Sequence, residues 1–181
     1  MMTLKTRFIL PLLLALSGCV FIPDFYSPEM ADGYSDAEKG IAAFNRADYQ
    51  QALQFLAPAA EKGDIDAQYM VGMIHLYGLA GYKNSFAAQK WLTLAAQAGQ
   101  RAAQEQLAFL YNDELSSVYN PIDAYHWFSI IIADRPQYQE KLNNLEWTLR
   151  SRGLLATAKT IPDPKKPRYK GVDYNSLFPL R

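Results

Sequence analysis

Two adjacent stretches decide the fold: residues 67–78 read AQYMVGMIHLYG, and residues 88–99 read AQKWLTLAAQAG. Parts of both recur when the sequence is compared with itself at a shift of 36 residues. The residues aligned by this shift are Ala52, Ala88 and Ala124; Phe55, Trp91 and Trp127; Ala59-Ala60 and Ala95-Ala96; Gly63 and Gly99; and Ala67-Gln68 and Ala103-Gln104. A fixed period of this size is typical of a solenoid, whose units are stabilised by stacking on one another.

Each unit has the pattern of two helices that form a hairpin. In residues 65–77, apolar side chains share one helical face, and Gly72 marks the point where a partner helix can approach closely. In residues 85–98, an apolar stripe with helical spacing would pack against that face. No stretch predicts a strand, so we expect an all-α chain. The predicted helices are residues 35–46, 49–61, 65–77, 85–98, 101–112, 121–133 and 137–151.

Local signals mark the helix ends. Gly63 and Gly99 follow the last apolar turn of their helices, where a left-handed residue can end a helix. Only one or two residues then separate consecutive helices, so these helices must be antiparallel neighbours. At the amino ends, the predicted caps are Ser35 with Glu38 and Asp48 with Gln51, both spaced as capping boxes, and Asn120 before Pro121.

The last predicted helix closes the array, because a terminal solenoid element needs a polar outer face. Its apolar side carries Leu142, Leu145 and Leu149, and its polar side carries Lys141, Asn144 and Arg150. The predicted solenoid therefore spans residues 35–151, with about three hairpin units and a capping helix.

Residues 30–135 resemble the Sel-1-like repeat, a relative of the tetratricopeptide repeat, in their spacing of Ala, Gly, Trp, Ala-Ala and Gly. The first copy has a short turn, residues 45–49, in place of the longer loop of the family. We expect the third copy's loop, residues 113–119, to differ in shape. The resemblance implies a right-handed α-solenoid that acts as a protein adaptor. The departures from the motif are His75, Ala80 and Asn84 in the second copy, and Ala108, Glu114, Ser116 and Ile131-Ile132 in the third.

The amino terminus has the features of a signal peptide. Lys5 and Arg7 precede a short apolar run, residues 8–16, which would span only about half of a ~30 Å hydrocarbon core. Residues 16–19, Leu-Ser-Gly-Cys, resemble the bacterial lipobox, in which the cysteine receives a diacylglycerol and, after cleavage, an N-acyl chain. The alternative is an ordinary secretory signal with a chance cysteine.

Lipid on Cys19 would fix the mature protein to a membrane, since stable anchoring needs two or more acyl chains. Residues 1–18 would be removed and residues 19–34 would form a lipid-anchored tether. In lipoproteins of enteric-type bacteria an Asp after the cysteine marks retention in the inner membrane, and here that residue is Val20. The resemblance therefore favours the periplasmic face of the outer membrane, with the periplasmic face of the inner membrane as the alternative.

The composition argues against metal and redox chemistry. The 181 residues include a single cysteine and two histidines, which cannot supply a disulfide or a cysteine-based zinc site. His75 stands where the family has a core aromatic residue, and His126 is expected on the surface. The acidic pairs Asp64/Asp66 and Asp113/Glu114 are explained by helix ends and loops. We therefore expect no catalytic residues, no metal and no cofactor beyond the lipid.

A second apolar side is predicted on the first helix of the second copy and its equivalent in the third. One interpretation is packing against the adjacent repeat, and the other is the floor of a concave groove that holds a partner peptide or helix. The candidate groove residues are Tyr69, Met73, Leu76, Tyr77, Phe109 and Asn112.

Charge divides the chain into an acidic body and a basic tail. Residues 19–149 hold 8 basic and 16 acidic side chains, whereas residues 150–181 hold 8 basic and 2 acidic ones. The proline-rich tail, residues 152–181, either folds back on the body or reaches an acidic partner or a phosphate-bearing envelope surface. Nucleic acid is not an expected partner. The candidate tail contacts are Lys165, Lys166, Arg168, Tyr174 and Phe178.

The sequence thus predicts a non-enzymatic scaffold lipoprotein of a bacterial envelope assembly, of the secretion, polysaccharide-export or pilus type. The alternative is a peptidoglycan-binding or cell-wall-modifying enzyme. Two carboxylates facing each other across a deep pocket would support that alternative, whereas an aromatic groove without them supports the scaffold.

Overall fold

A computed structural model describes residues 34–160, and all regular structure in this range is helical. The predicted helices are confirmed, with ends that differ by no more than three residues. Within residues 34–160 the α-helices are α1 Asp36–Asn45, α2 Tyr49–Glu61, α3 Ile65–Tyr77, α4 Ser85–Gln97, α5 Arg101–Asn112, α6 Pro121–Ile131, α7 Gln139–Ser151 and α8 Leu155–Thr160, and a 3-10 turn, Pro136–Tyr138, precedes α7.

The helices begin where short polar side chains cap the first turn. Ser35 and Glu38 form the predicted capping box, in which each side chain accepts a hydrogen bond from the other's backbone N–H. Asp48 accepts from the Gln51 N–H at 3.1 Å, but the reciprocal bond of a box is not formed. The Gln51 side chain accepts instead from Arg46 Nη2 at 3.0 Å. The second predicted box is therefore a simple N-cap, because a nearby guanidinium binds the side chain that would complete it.

The tight turns between hairpins have the predicted left-handed residues. Gly63 ends the turn after α2 and Gly99 the turn after α4, both with φ near +96°. Asn120 caps α6 through bonds to the N–H groups of Ile122 and Asp123, as predicted. The loop of the third copy also differs from that of the second: α3 ends on the left-handed Gly78, whereas α5 ends on the extended Asp113.

The helices pack as consecutive antiparallel pairs, α1 with α2, α3 with α4 and α5 with α6, and each pair packs on the next. Within the second pair the backbones approach closely at Gly72, where an added Cβ would lie 2.8 Å from the Leu92 side chain. Trp91 and Trp127 are buried, at 2% and 3% exposure. The chain is therefore an α-solenoid of helix-turn-helix units.

One hydrogen bond recurs at each junction between repeats. Gln68 Nε2 donates to the Ala60 carbonyl at 3.1 Å, and 36 residues later Gln104 Nε2 donates to the Ala96 carbonyl at 3.0 Å. Both glutamines are buried. Each bond links a carbonyl at the end of one hairpin to a side chain of the next hairpin, in addition to the bond that the same carbonyl accepts from the N–H of Gly63 or Gly99.

The carboxyl-terminal end contains more structure than the sequence predicted. α7 packs on α6 through the buried Leu145 and Leu149, and its polar side is exposed, as expected of a capping helix. Beyond it, α8 lies in the segment treated as tail and packs on both α6 and α7, with Ala158 fully buried. This short helix forms because α6 and α7 leave an apolar site for it, which local propensity does not reveal.

None of the helices in residues 34–160 has the length and apolar character needed to cross a bilayer.

Candidate functional site

The candidate site is an open pocket between α3 and α5, with a volume of about 310 Å³. We call it the inter-repeat pocket. Four of the six predicted groove residues line it: Leu76, Tyr77, Phe109 and Asn112. Its remaining lining residues are Lys83, Gln106, Leu110 and Asp113.

The other two predicted groove residues lie elsewhere. Tyr69 and Met73 are partly buried and do not line the inter-repeat pocket. Tyr69 packs against the hydrophobic core formed by α4 to α7, and the partly buried Leu76 packs against the same core. Packing against the adjacent repeat therefore applies to Tyr69, whereas a partner-binding groove stays a prediction for the four residues that line the open pocket.

A hydrogen bond joins the two helices across the pocket. Tyr77 Oη donates to Gln106 Oε1 at 2.9 Å, which holds the carboxyl end of α3 against the middle of α5. Asn112, six residues further along α5, is partly buried, and within residues 34–160 its carboxamide makes no hydrogen bond. A partly buried amide with spare donors and acceptors is suited to a peptide backbone, which presents one of each per residue.

The floor of the inter-repeat pocket is held in place by aromatic packing. The Phe109 ring makes edge-to-face contacts with Phe128 and Tyr138, at centroid distances of 5.4 and 5.3 Å. Lys141 Nζ lies 5.4 Å from the same ring centroid. Because these contacts come from α6, α7 and the turn before α7, the floor is fixed by the folded array and needs no ligand to form.

Two tyrosine phenols near the pocket have raised pKa values. Tyr138 Oη donates to Glu105, and this bond raises the pKa of the Tyr138 phenol. Glu105 is also 3.5 Å from the Arg135 guanidinium. Burial raises the pKa of the Tyr69 phenol, and the neighbouring Tyr77 and Glu105 add to this effect. Both phenols therefore stay neutral near pH 7, and the Tyr138 phenol donates a hydrogen bond to Glu105.

A second cleft, of about 150 Å³, lies between α5 and α7. It shares Asn112 with the inter-repeat pocket, and we call the two together the α5 groove. The second cleft has a more polar lining: Glu114, Tyr119, Lys141, Asn144, Leu145 and Thr148 join Asn112. The α5 groove thus has an apolar part and a polar part on either side of one carboxamide.

The histidines take no part in this groove. His75 is partly buried, and burial lowers the pKa of its imidazole, as expected for a histidine at a core position. It lines a separate pocket of about 170 Å³ between α2 and the α3–α4 loop. The prediction that His126 lies on the surface is wrong, because only 8% of the residue is exposed. α6 contacts α5, α7 and α8, so little of its circumference is left to solvent.

The acidic residues have structural roles at helix ends. Asp64 caps α3 by accepting from the Ala67 N–H at 2.8 Å, and Asp66 accepts from the Gln100 side chain. Asp113 accepts from the Leu115 N–H at 3.0 Å and, among residues 34–160, is the single carboxylate that lines the inter-repeat pocket. Across residues 34–160, no group of three or more potential ligands is arranged to hold a metal ion.

Sequence reasoning missed part of the groove. Gln106 and Lys141 line it but were assigned to no site, although Gln106 lies three residues before Phe109 and therefore shares its side of α5. Lys141 could not be assigned from helical spacing, because its position depends on how α7 packs against α5. The lipidation candidate Cys19 and the tail candidates Lys165, Lys166, Arg168, Tyr174 and Phe178 lie outside the described residues.

Comparison with known proteins agrees with the repeat register. The family model described as Sel1 repeat matches residues 38–64, 65–100 and 101–131, which is more than half of the chain and corresponds to the three hairpins. No curated protein and no solved structure matches the chain. Sel1 repeat proteins are typically non-enzymatic scaffolds, and their repeats generally mediate protein–protein interaction. The three matched hairpins thus establish that this chain belongs to the Sel1 repeat family.

Proposed function

We propose that this protein is a lipid-anchored scaffold of a bacterial envelope assembly, and that it binds an extended segment of a partner protein in the α5 groove. The observation that carries the proposal is the position of Asn112, whose carboxamide makes no hydrogen bond within residues 34–160 and lies where an apolar and a polar cleft meet. This arrangement suits a peptide better than a helix, because a helix has already satisfied its own backbone groups.

The two parts of the α5 groove suggest how such a segment would bind. An apolar side chain of the partner would enter the inter-repeat pocket beside Leu76 and Phe109. The Asn112 carboxamide would pair with the partner's backbone, and polar side chains would meet Glu114 and Lys141 in the second cleft. Since the floor is already ordered, little conformational entropy is lost from the scaffold on binding.

Anchoring is proposed from the amino-terminal sequence. The positive residues, the short apolar run and Leu16-Ser17-Gly18-Cys19 together support lipid attachment at Cys19. Val20 supports location on the periplasmic face of the outer membrane, with the inner membrane as the alternative. A scaffold held there would meet envelope proteins of secretion, polysaccharide-export or pilus machines.

Site-specific photocrosslinking tests the groove. A photoreactive amino acid is placed at Tyr77, which is 49% exposed and lines the inter-repeat pocket. The matched control is Leu94 on α4, which is 36% exposed and lies outside the groove. We expect a discrete adduct with an envelope protein from position 77 only, and equal adducts from both positions would contradict the proposal.

Asn112→Ala should then reduce the yield of that adduct. Loss of one hydrogen bond is worth about 1 kcal/mol, which corresponds to roughly a fivefold weaker complex. The control is Asn45→Ala, which removes the same side chain from the exposed end of α1. If Asn112→Ala leaves the yield at the level of Asn45→Ala, the proposed role of the carboxamide is excluded.

Cell fractionation tests the anchor separately. Cys19→Ser should release the protein from membranes while its circular dichroism and melting temperature stay unchanged. Val20→Asp should move the lipidated protein to the inner-membrane fraction of a density gradient. A Cys19→Ser protein that still sediments with membranes would rule out lipid anchoring at this residue.

A further inference from the structure

A cleft of about 170 Å³ lies where α2 of the first repeat meets α3 and the α3–α4 loop of the second repeat. We call it the His75 cleft. Each of its lining residues has an equivalent 36 residues later, so the third repeat shows what the same positions do in another unit. The cleft is lined by Leu53, Ile74, His75, Ala80, Tyr82 and Asn84.

In the third repeat a phenol fills the equivalent position. Tyr111 replaces His75 there, and only 6% of it is exposed. Its Oη accepts a hydrogen bond from Gln89 Nε2 at 3.0 Å. Gln89 is the equivalent of Leu53, which has no hydrogen-bonding group. The second repeat therefore has a shorter aromatic side chain at this position and an apolar neighbour facing it.

The loop beside the cleft differs in the same sense. Val118 is 8% exposed, whereas its equivalent Tyr82 is 82% exposed. The backbone closes both loops in the same way, because the N–H groups of Asn84 and Asn120 each donate to a carbonyl of the preceding helix at 2.9 Å. Thus an aliphatic side chain is buried in the third repeat where the second repeat directs its side chain to solvent.

Two polar side chains of the cleft lack the partners that their equivalents have. Asn120 Nδ2 donates to Asp123 Oδ2 at 2.7 Å, but the equivalent of Asp123 is Ala87, which offers no such acceptor to Asn84. Within residues 34–160, neither the amide N–H groups of Asn84 nor the imidazole of His75 makes a hydrogen bond. A ligand in the cleft would gain hydrogen bonds as well as apolar contacts.

A phenol matches this lining. Its ring would pack on Leu53, Ile74 and Ala80, and its hydroxyl can donate to the His75 imidazole and accept from Asn84. Burial lowers the pKa of the imidazole, so near pH 7 it is neutral and has an acceptor nitrogen. Among residues 34–160 no lysine or arginine lines the cleft, which favours a neutral ligand over a carboxylate.

We propose that the His75 cleft binds the phenol of a tyrosine side chain from a partner protein. The cleft opens beside the exposed Tyr82, so a phenol that is attached to a polypeptide can enter it. No residue among 34–160 lines both the His75 cleft and the α5 groove. The proposal is therefore independent of the proposed groove and of the lipid anchor.

Titration with p-cresol, the side-chain analogue of tyrosine, tests the proposal. We expect the backbone amide NMR signals of the full chain to shift around the His75 cleft, with a dissociation constant of ~1 mM for a ligand of this size. Leu53→Gln with His75→Tyr copies the third-repeat pair and should weaken binding at least ~10-fold by filling the cleft. The control Leu115→Tyr adds a phenol at a site that is 96% exposed and should leave binding unchanged.

A melting temperature of the double variant at or above that of the unmodified chain shows that its loss of binding is not loss of folding. Equal p-cresol affinity of the double variant and the unmodified chain would overturn the proposal. Binding that appears only after Tyr82→Ala would also overturn it, because the cleft would then be closed by its own loop.

Further probes test the identity of the ligand. Toluene lacks the hydroxyl and should bind about fivefold more weakly than p-cresol, the loss expected for one hydrogen bond. Tighter binding of p-toluate, which carries a carboxylate instead, would overturn the assignment of a phenol. N-acetyltyrosinamide should bind at least as tightly as p-cresol. Its exclusion from the cleft would overturn a partner side chain in favour of a free phenol.

Discussion

The second repeat, α3 with α4, and the third repeat, α5 with α6, share a 36-residue register but differ at many equivalent positions. Gly72 is replaced by Ala108, Leu92 by Phe128 and His75 by Tyr111. The bonds at their junctions are nevertheless the same. In both repeats a glutamine near the start of the first helix donates to the last turn of the preceding hairpin.

The loops of the two repeats also share a hydrogen bond although their sequences differ. The Asn84 N–H donates to the His75 carbonyl at 2.9 Å, and the equivalent Asn120 N–H donates to the Tyr111 carbonyl at the same distance. The two loops between these ends differ in sequence and in backbone conformation. The two repeats thus share the hydrogen bond that closes each loop and the glutamine bond at each junction, although several side chains that fill the hairpins differ.

The largest expected effect comes from removing a core tryptophan. Trp91→Ala should destabilise the protein by about 3–5 kcal/mol, because it empties a large buried volume. Trp127→Ala should destabilise the protein by a similar amount if the second and third repeats contribute equally to its stability. Denaturant unfolding followed by circular dichroism measures both, with the exposed Leu115→Ala as control. An unchanged midpoint for Trp91→Ala would refute the repeat register.

Exchanging glycine and alanine where the two helices of a hairpin cross tests how the second and third repeats differ in packing. In the second repeat, Gly72→Ala places a methyl group 2.8 Å from Leu92, and we expect a net loss of about 1–2 kcal/mol after the gain in helix propensity. In the third repeat the reverse change, Ala108→Gly, should also destabilise, by about 1 kcal/mol.

Thermal and chemical denaturation of both variants give the comparison. A stabilising effect of Gly72→Ala would mean that α3 and α4 separate easily at this crossing. Adding Leu92→Val to Gly72→Ala should recover part of the loss, because it shortens the side chain in contact.

The junction glutamines should have a smaller effect. Gln104→Ala leaves the Ala96 carbonyl without its side-chain donor and should cost about 1–2 kcal/mol, with Gln68→Ala at or below that value because Gln68 is less completely buried. The control is Gln50→Ala at an exposed site on α2. Equal stability of Gln104→Ala and Gln50→Ala would show that stacking does not depend on these bonds.

The smallest expected effect is a dependence of the free energy of unfolding on pH that comes from His75 in the second repeat. Burial lowers the pKa of His75 in the folded protein, so the unfolded chain binds a proton more readily at this site. Stability should therefore fall as pH decreases below about 6.5, by at most about 1.4 kcal/mol per pH unit. His75→Tyr, which copies Tyr111, should remove this component.

Unfolding free energies measured between pH 7.5 and pH 5 for the two proteins test the assignment. Subtracting one curve from the other cancels the titration of groups that both proteins share. Parallel curves would exclude His75 as the source of any pH dependence.

Much of the fold could be predicted because its signals are local. Ser35, Asn120, Gly63 and Gly99 fix helix ends through their own backbones and side chains, so they were assigned correctly from sequence. Gln51 was assigned incorrectly because its side chain bonds to Arg46, a residue of the preceding helix end. The candidate groove was predicted only in part, since helical spacing identifies the open side of one helix but not the neighbour that covers it.

By itself, the sequence determined helices α1 to α7, the 36-residue spacing of the hairpins and the positions of their turns, because capping, glycine conformation and apolar periodicity act within a few residues. The tertiary structure alone decided that Tyr69 is packed while Tyr77 is open, that His126 is buried and that α8 forms. These outcomes depend on contacts between elements that are distant in the chain, and such contacts are set by the stacking of whole hairpins.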